Sequence, residues 1–265
     1  MPNPTVHPTV DEALAVARGH VYAFLAAALA DPVHSHFEMA LDRKLQTVAI
    51  AAAQLLAFEV SESTELSPGE LPPQQLDLMP VVRELARPRE EIAREHQDLF
   101  GLLIGKTAPP YETEYCPSTL TFYRTQQLAD IAGFYGAFGL EASREEPERQ
   151  DHVSVELEFM ARLIQKELFA AAATEVTLRE KAPLCREAQK KFFEAHLAWW
   201  VPTFAELLRR GSTAGLHSAL AQALASFIPC ERVILEIGPA RDLAQPNAEP
   251  EPAGENQCCG AMPCR

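Results

Sequence analysis

Glu146-Pro147-Glu148-Arg149-Gln150-Asp151-His152-Val153-Ser154-Val155-Glu156-Leu157-Glu158-Phe159-Met160 carries an acidic, proline-bearing loop into a helix. Val153, Leu157, Met160, Ile164 and Leu168 recur at i, i+4, i+7, i+11 and i+15, one apolar stripe of helical period. Asp151 is placed to cap that helix, because a short carboxylate there accepts a first-turn N–H and favours the positive end of the dipole. His152, Glu156 and Glu158 lie off the stripe or at its margin. Between Glu141 and Glu158 seven acidic residues stand against Arg144 and Arg149, a local balance of −5. Two readings follow. One is a cap plus an i,i+4 pair of His152 with Glu156, worth roughly a few tenths of a kcal/mol. The other is a recognition site for something cationic.

Composition narrows the classes around this stretch. With 265 residues and 47% apolar content the chain can build one large helical core. A net charge of −14 argues against nucleic acid, whose phosphates need a basic face, and suits basic peptides. The amino terminus lacks a basic and then apolar leader pattern, and the most apolar run, Val21 to Ala30, is too short to span a bilayer. The expectation is a cytoplasmic protein without stable membrane insertion. Cys116, Cys185 and Cys230 are scattered singly, which is not how a secreted disulfide framework spaces its cysteines.

Helical patterns fill most of the chain. The first runs from Thr9 or Asp11 to a stop at Asp31-Pro32, and an alanine-rich second spans about 35–58. The stretch 59–80, rich in proline and acid, reads as a loop. Helices follow near 76–87 and from Pro88 to Gly101. Pro110-Tyr111-Glu112-Thr113-Glu114-Tyr115 then forms an aromatic, acidic loop of the kind that tends to be functional. Ser118 opens a helix to about Gly139, and the Asp151 helix runs to about Ala173. A long pattern from Pro183 to Arg210 contains Pro202, which should kink or interrupt it, and Thr213 to Ile228 makes a last helix. The result is an all-α class: one helical domain over 1–238, with a hinge loop at about 140–151 and a proline-rich, cysteine-bearing, disordered tail over 239–265.

Catalytic patterns fail on spacing. Gly101-Leu102-Leu103-Ile104-Gly105-Lys106-Thr107 has three residues between its glycines, where a phosphate-wrapping P-loop needs four, and it follows a helix rather than a strand. There is no Glu-x-x-His pair for a di-iron bundle, no His-Glu-x-x-His and no Gly-x-Ser-x-Gly elbow. His196, beside Leu197 and Trp200, reads as a core or boundary histidine. No catalytic residue and no cofactor is expected. Cys258, Cys259 and Cys264 are weak metal candidates, one ligand short of a closed tetrahedral zinc site and awkwardly adjacent.

Five ordered pieces carry a resemblance: Arg18-x-x-x-Tyr22-x-x-Leu25 with Asp31-Pro32, Asp98-Leu99-Phe100-Gly101, Pro110-Tyr111-Glu112-x-x-Tyr115, Asp151-His152-x-x-x-Glu156-Leu157-x-Phe159-Met160, and Phe192-x-x-x-His196-Leu197-x-x-Trp200-x-Pro202-x-Phe204. Over about Arg18 to Ile228 the chain resembles the TorD/DmsD/NarJ family of redox-enzyme maturation chaperones. The resemblance implies an all-helical, TorD-like (or NarJ-like), non-enzymatic cytoplasmic chaperone in molybdoenzyme maturation. It would bind the twin-arginine signal peptide, or the apo form, of a molybdenum-cofactor catalytic subunit during cofactor insertion and before export. The chain departs from the family's Pro-Asp-His hinge in having Gln150 before Asp151. A receptor for a basic and then apolar leader needs carboxylates beside an apolar groove. Asp151, His152, Glu156 and Glu112 are the expected polar contacts, and Tyr111, Tyr115 and Tyr123 the aromatic ones. The alternative of another class is a helical thiol or metal carrier acting through the cysteine tail.

Overall fold

A computed structural model describes residues 10–60, 64–101, 108–116, 121–141, 143, 147–240 and 244. In chain order the helices are α1 (Val10–Leu29), α2 (Ser35–Glu38), α3 (Arg43–Glu59), α4 (Met79–Leu85), α5 (Arg89–Phe100), α6 (Thr121–Ala137), α7 (Val153–Ala171), α8 (Val176–Arg179), α9 (Ala182–Phe192), α10 (Val201–Gly211) and α11 (Leu216–Ile234). Short 3₁₀ turns occupy Met39–Leu41, Pro73–Gln75 and Glu112–Tyr115, and a π-helical turn occupies Phe193–Leu197. Among the described residues there is no β-strand, only one antiparallel bridge between Tyr111 and His152. The protein is all-α.

α1 is the central helix, packed between α7 and α3, while α7 also lies against α9 and α10 against α11. Its small residues permit this. Ala26, Ala27 and Ala28 are buried, and a Cβ on Gly19 would meet Ile164 Cγ2 of α7 at 3.2 Å. By length and composition α1 could also cross a membrane, yet 61% of its most apolar window is buried inside the fold. At its far face Arg18 and Glu231 of α11, both without solvent exposure, form three hydrogen bonds of 2.8, 3.1 and 2.9 Å. Tyr22 meets Phe227 edge-on at 4.8 Å. Next to Glu231, Arg232 pairs with Glu70 at 2.6 Å, so α11 fixes both α1 and the loop before α4.

Several boundaries differ from the sequence expectation, each for a local reason. The alanine-rich pattern over 35–58 is broken at Asp42, whose backbone is extended (ψ 117) and whose carboxylate accepts the N–H groups of Lys44 and Leu45 at 2.8 Å. That cap starts α3 afresh. The 183–210 pattern is interrupted as Pro202 requires: α9 passes into the π turn, and α10 restarts with Pro202 in its first turn.

The last helix does not end at Ile228 but continues through Pro229 to Ile234. Proline leaves the carbonyl four residues back without its helical donor. Here that carbonyl, Ala225 O, accepts the Leu71 N–H at 2.9 Å instead. The expected Thr9 cap, the Ser118 cap, most of the Gly101–Thr107 stretch, and Cys258, Cys259 and Cys264 lie outside the described residues.

Candidate functional site

The loop 108–116 is zipped onto the start of α7. Glu112 N donates to Asp151 O at 2.9 Å, and Val153 N to Pro110 O at 2.9 Å. The helix cap is His152, not Asp151. His152 Nδ1 accepts the Ser154 N–H at 3.2 Å and lies 2.7 Å from Ser154 Oγ. An imidazole that accepts in this way is neutral at that nitrogen. Burial, aided by His96 and Arg149, lowers its pKa to about 3.

Asp151 is drawn away from the cap by stronger partners. Its Oδ2 accepts from Thr113 Oγ1 at 2.7 Å and Arg149 Nη2 at 2.8 Å, and Oδ1 accepts from Arg149 Nε at 3.0 Å. The Arg149 guanidinium also sits 4.1 Å from the centre of the Tyr111 ring. That ring packs edge-on against His152 at 5.1 Å. Burial, with the neighbouring Glu148 charge, pushes the Tyr111 phenol up to about 12.

Beneath the loop, Glu112 ties four elements together. Its Oε1 accepts from Gln127 of α6 at 2.7 Å and from Trp199 Nε1 at 2.9 Å, and its Oε2 lies 3.1 Å from His196 Nδ1. His196 Nε2 in turn lies 3.1 Å from Asp130 Oδ2. With a carboxylate oxygen at each ring nitrogen, both contacts are hydrogen bonds only if the ring is an imidazolium or one carboxyl keeps its proton. Glu156, fully buried, accepts from Trp200 Nε1 at 3.3 Å. Burial, then the charges of Glu112 and Asp151, push its pKa well above the usual carboxylate range. The other carboxylate oxygen of Glu156, Oε1, is buried without a hydrogen-bond partner among the described residues. Tyr115 closes the cluster, its hydroxyl donating to Pro109 O at 3.0 Å and its ring 5.1 Å from Trp200.

Outside this buried cluster, a groove of ≈ 1390 Å³ runs along α7, walled by the loop after α1, α2, the end of α6, the hinge residues Glu148 and Gln150, α8 and the start of α9. Tyr135 and Phe159 lie in its floor, and Tyr135 donates its hydroxyl to Gln150 O at 2.9 Å. The hinge is thus one wall of the groove, held there by the cluster behind it. Of the expected contact residues, Glu112, Tyr115, Asp151, His152 and Glu156 are buried, Tyr111 is half-buried, and Tyr123 is exposed. The structure brings the first six together around one turn. Tyr123 stands apart, against Phe122.

Residues 73–206 match the family described as nitrate reductase delta subunit. The chain belongs to this family. It is 30% identical over 147 residues to the chaperone protein TorD of Vibrio cholerae serotype O1 (strain M66-2), a stretch covering 55% of this chain and 63% of that protein. It is 29% identical over 144 residues to the selenate reductase assembly chaperone protein of Thauera selenatis, covering 54% and 69%. The chlorate reductase assembly chaperone protein of Ideonella dechloratans is 31% identical over 126 residues, covering 47% and 61%. The chain therefore spans less than two thirds of the TorD and chlorate reductase relatives.

The part matched to the nitrate reductase delta subunit family contains the whole cluster, from Glu112 through Asp151 and Glu156 to Trp200. It leaves out α2 and the loop after α1, which supply one wall of the groove. Sequence reasoning missed the roles of His196, Gln127 and Trp199. A π turn, which favours functional sites but has no sequence signature, sets the position of His196. The available signal was that a glutamate, a histidine and a tryptophan all stood inside the resemblance pieces or beside them.

Proposed function

We propose that this family member is an assembly chaperone for a reductase subunit, acting in the cytoplasm and without catalysis. Its client is the apo form of a molybdenum-cofactor oxidoreductase together with that subunit's twin-arginine leader. The observation that carries this reading is the groove: a long, largely apolar channel whose hinge end bears carboxylates, as a basic and then apolar segment demands. The printed names of the relatives, a TorD chaperone and two reductase assembly chaperones, support the same reading. The net charge of −14 favours a basic client over nucleic acid.

In this proposal Tyr111 and Tyr123, neither of which lines the groove, meet parts of the client that extend beyond it. Glu112, Tyr115, Asp151, His152 and Glu156 act from inside, by setting the shape of the hinge wall. Calorimetric titration with leader peptides of candidate molybdoenzymes, and pull-down of the corresponding apoproteins, tests the function. Saturable binding of one leader or apoprotein is expected; binding of none would end the reading.

A further inference from the structure

The groove is electrically lopsided along its length. At the hinge end it is lined by Asp31, Glu141, Glu148 and Glu158, with Arg162 already engaged by Glu158 at 3.1 Å. At the other end Lys166 and Lys181 line it and no carboxylate does. Phe138 lies between, and Phe169 (71% exposed) and Leu184 (65% exposed) form an open apolar rim toward the lysine end.

Distance decides whether the two ends act separately. Glu158 and Lys166 are eight residues apart on α7, which is about 12 Å of helix. That exceeds the screening length of about 8 Å at physiological salt, so a charged group placed at one end feels little of the other. Helix dipoles do not settle the sign, because the carbonyl end of α1 and the N–H end of α7 meet at the hinge and oppose each other. The side-chain charges decide.

We infer that the groove takes a client segment in one direction, with its cationic amino-terminal residues beside Asp31, Glu141, Glu148 and Glu158 and its apolar residues running past Phe138 to Phe169 and Leu184, parallel to α7. This rests on the chaperone reading above and adds polarity to it. A segment laid the other way would set its cations against Lys166 and Lys181 and its apolar part against four carboxylates. An extended peptide covers the span from Glu158 to Lys166 in about four residues, at roughly 3.3 Å each. The charge pattern therefore reads the order of a short motif, not only its composition.

The test uses the full chain and two labelled peptides: one with paired arginines at its amino end followed by an apolar stretch, and the same residues in reverse order. Each is titrated by fluorescence anisotropy against wild type, Glu158→Lys and Lys166→Glu; Lys166 is exposed on α7 and Glu158 half-buried beside Arg162. The forward peptide should bind wild type more tightly, lose about tenfold with Glu158→Lys, and hold or gain with Lys166→Glu. A photo-crosslinker at its amino end should label α2 or the hinge, and one at its carboxyl end α8 or α9. Equal affinity for both orders, or an amino-end crosslink on α8 or α9, overturns the direction while leaving the chaperone reading intact. If leaders and apoproteins alike fail to bind, the chaperone reading fails, and the direction with it.

Discussion

Glu156 accepts from Trp200 Nε1 at 3.3 Å on Oε2, while its Oε1 is buried with no hydrogen-bond partner among the described residues, and burial holds its pKa well above the usual carboxylate range. The consequence for stability has a definite sign. A carboxyl whose folded pKa is raised binds its proton more tightly in the fold than in the unfolded chain. Its contribution is therefore fully present below the unfolded value of about 4.3 and is lost as pH rises through the folded value. Glu156→Gln keeps the buried position neutral at every pH. It should match wild type near pH 4 and exceed it at pH 7 to 8 by on the order of 1 kcal/mol. Urea midpoints measured across that range check this, and an equal loss at every pH would contradict it.

Glu95 gives the opposite slope. It accepts from His217 N and Nδ1 at 2.9 and 2.8 Å and from Arg87 at 2.7 Å. Burial opposes its ionisation, but the bonds from His217 and Arg87 outweigh burial and bring its pKa down to about 2. Its stabilisation is present above the unfolded value of about 4.3 and is lost as pH falls toward about 2. Glu95→Gln should be less stable than wild type at pH 7, with the gap narrowing through that acid window. Thermal melts from pH 7 down to the acid limit of folding provide the measurement.

At the hinge, Asp151 and His152 should separate by cost. His152→Ala removes a cap and should cost about 1 kcal/mol. Asp151→Ala removes the buried carboxylate that both Thr113 and Arg149 donate to, for a larger cost of about 2–3 kcal/mol. Asp151→Asn keeps an acceptor for Thr113 and should fall between wild type and Ala. Chemical denaturation ranks the three, and protease cleavage near Arg149 should accelerate in the same order.

Much of this was legible because it is local. The stripe from Val153 to Leu168 fixed α7, Asp31-Pro32 stopped α1, and Pro202 broke the long third-quarter helix, each through rules acting within a few residues. What was not legible depends on partners remote in sequence. Asp151 is an apt cap in isolation, and only Thr113, 38 residues away, outbids the helix for it. Pro229 looks like a stop until Leu71 supplies a donor to Ala225 O. His196 looks like a core residue until Glu112, 84 residues distant, is placed on its Nδ1. The groove is still less readable, since its walls come from six separate parts of the chain and a turn of charge sign shows only once they are assembled.

The pair Arg18 and Glu231 joins positions 213 residues apart and so holds the first helix to the last. Both side chains are fully buried, and Arg18 Nη1 has no hydrogen-bond partner among the described residues. Taking two such charges out of water costs several kcal/mol each, and their mutual attraction repays that only while both are present. Arg18→Met should therefore be costly out of proportion to the bonds removed, about 3–5 kcal/mol, because Glu231 is left charged in an apolar interior. Arg18→Met combined with Glu231→Leu removes both the attraction and the desolvation penalty. It should recover most of the loss, since well-packed apolar replacements of a buried pair are often neutral. Urea unfolding of wild type, both single variants and the double variant gives the coupling directly. A single variant costing under about 1 kcal/mol, or a double variant no better than the worse single, would mean that the pair is not what fastens α1 to α11.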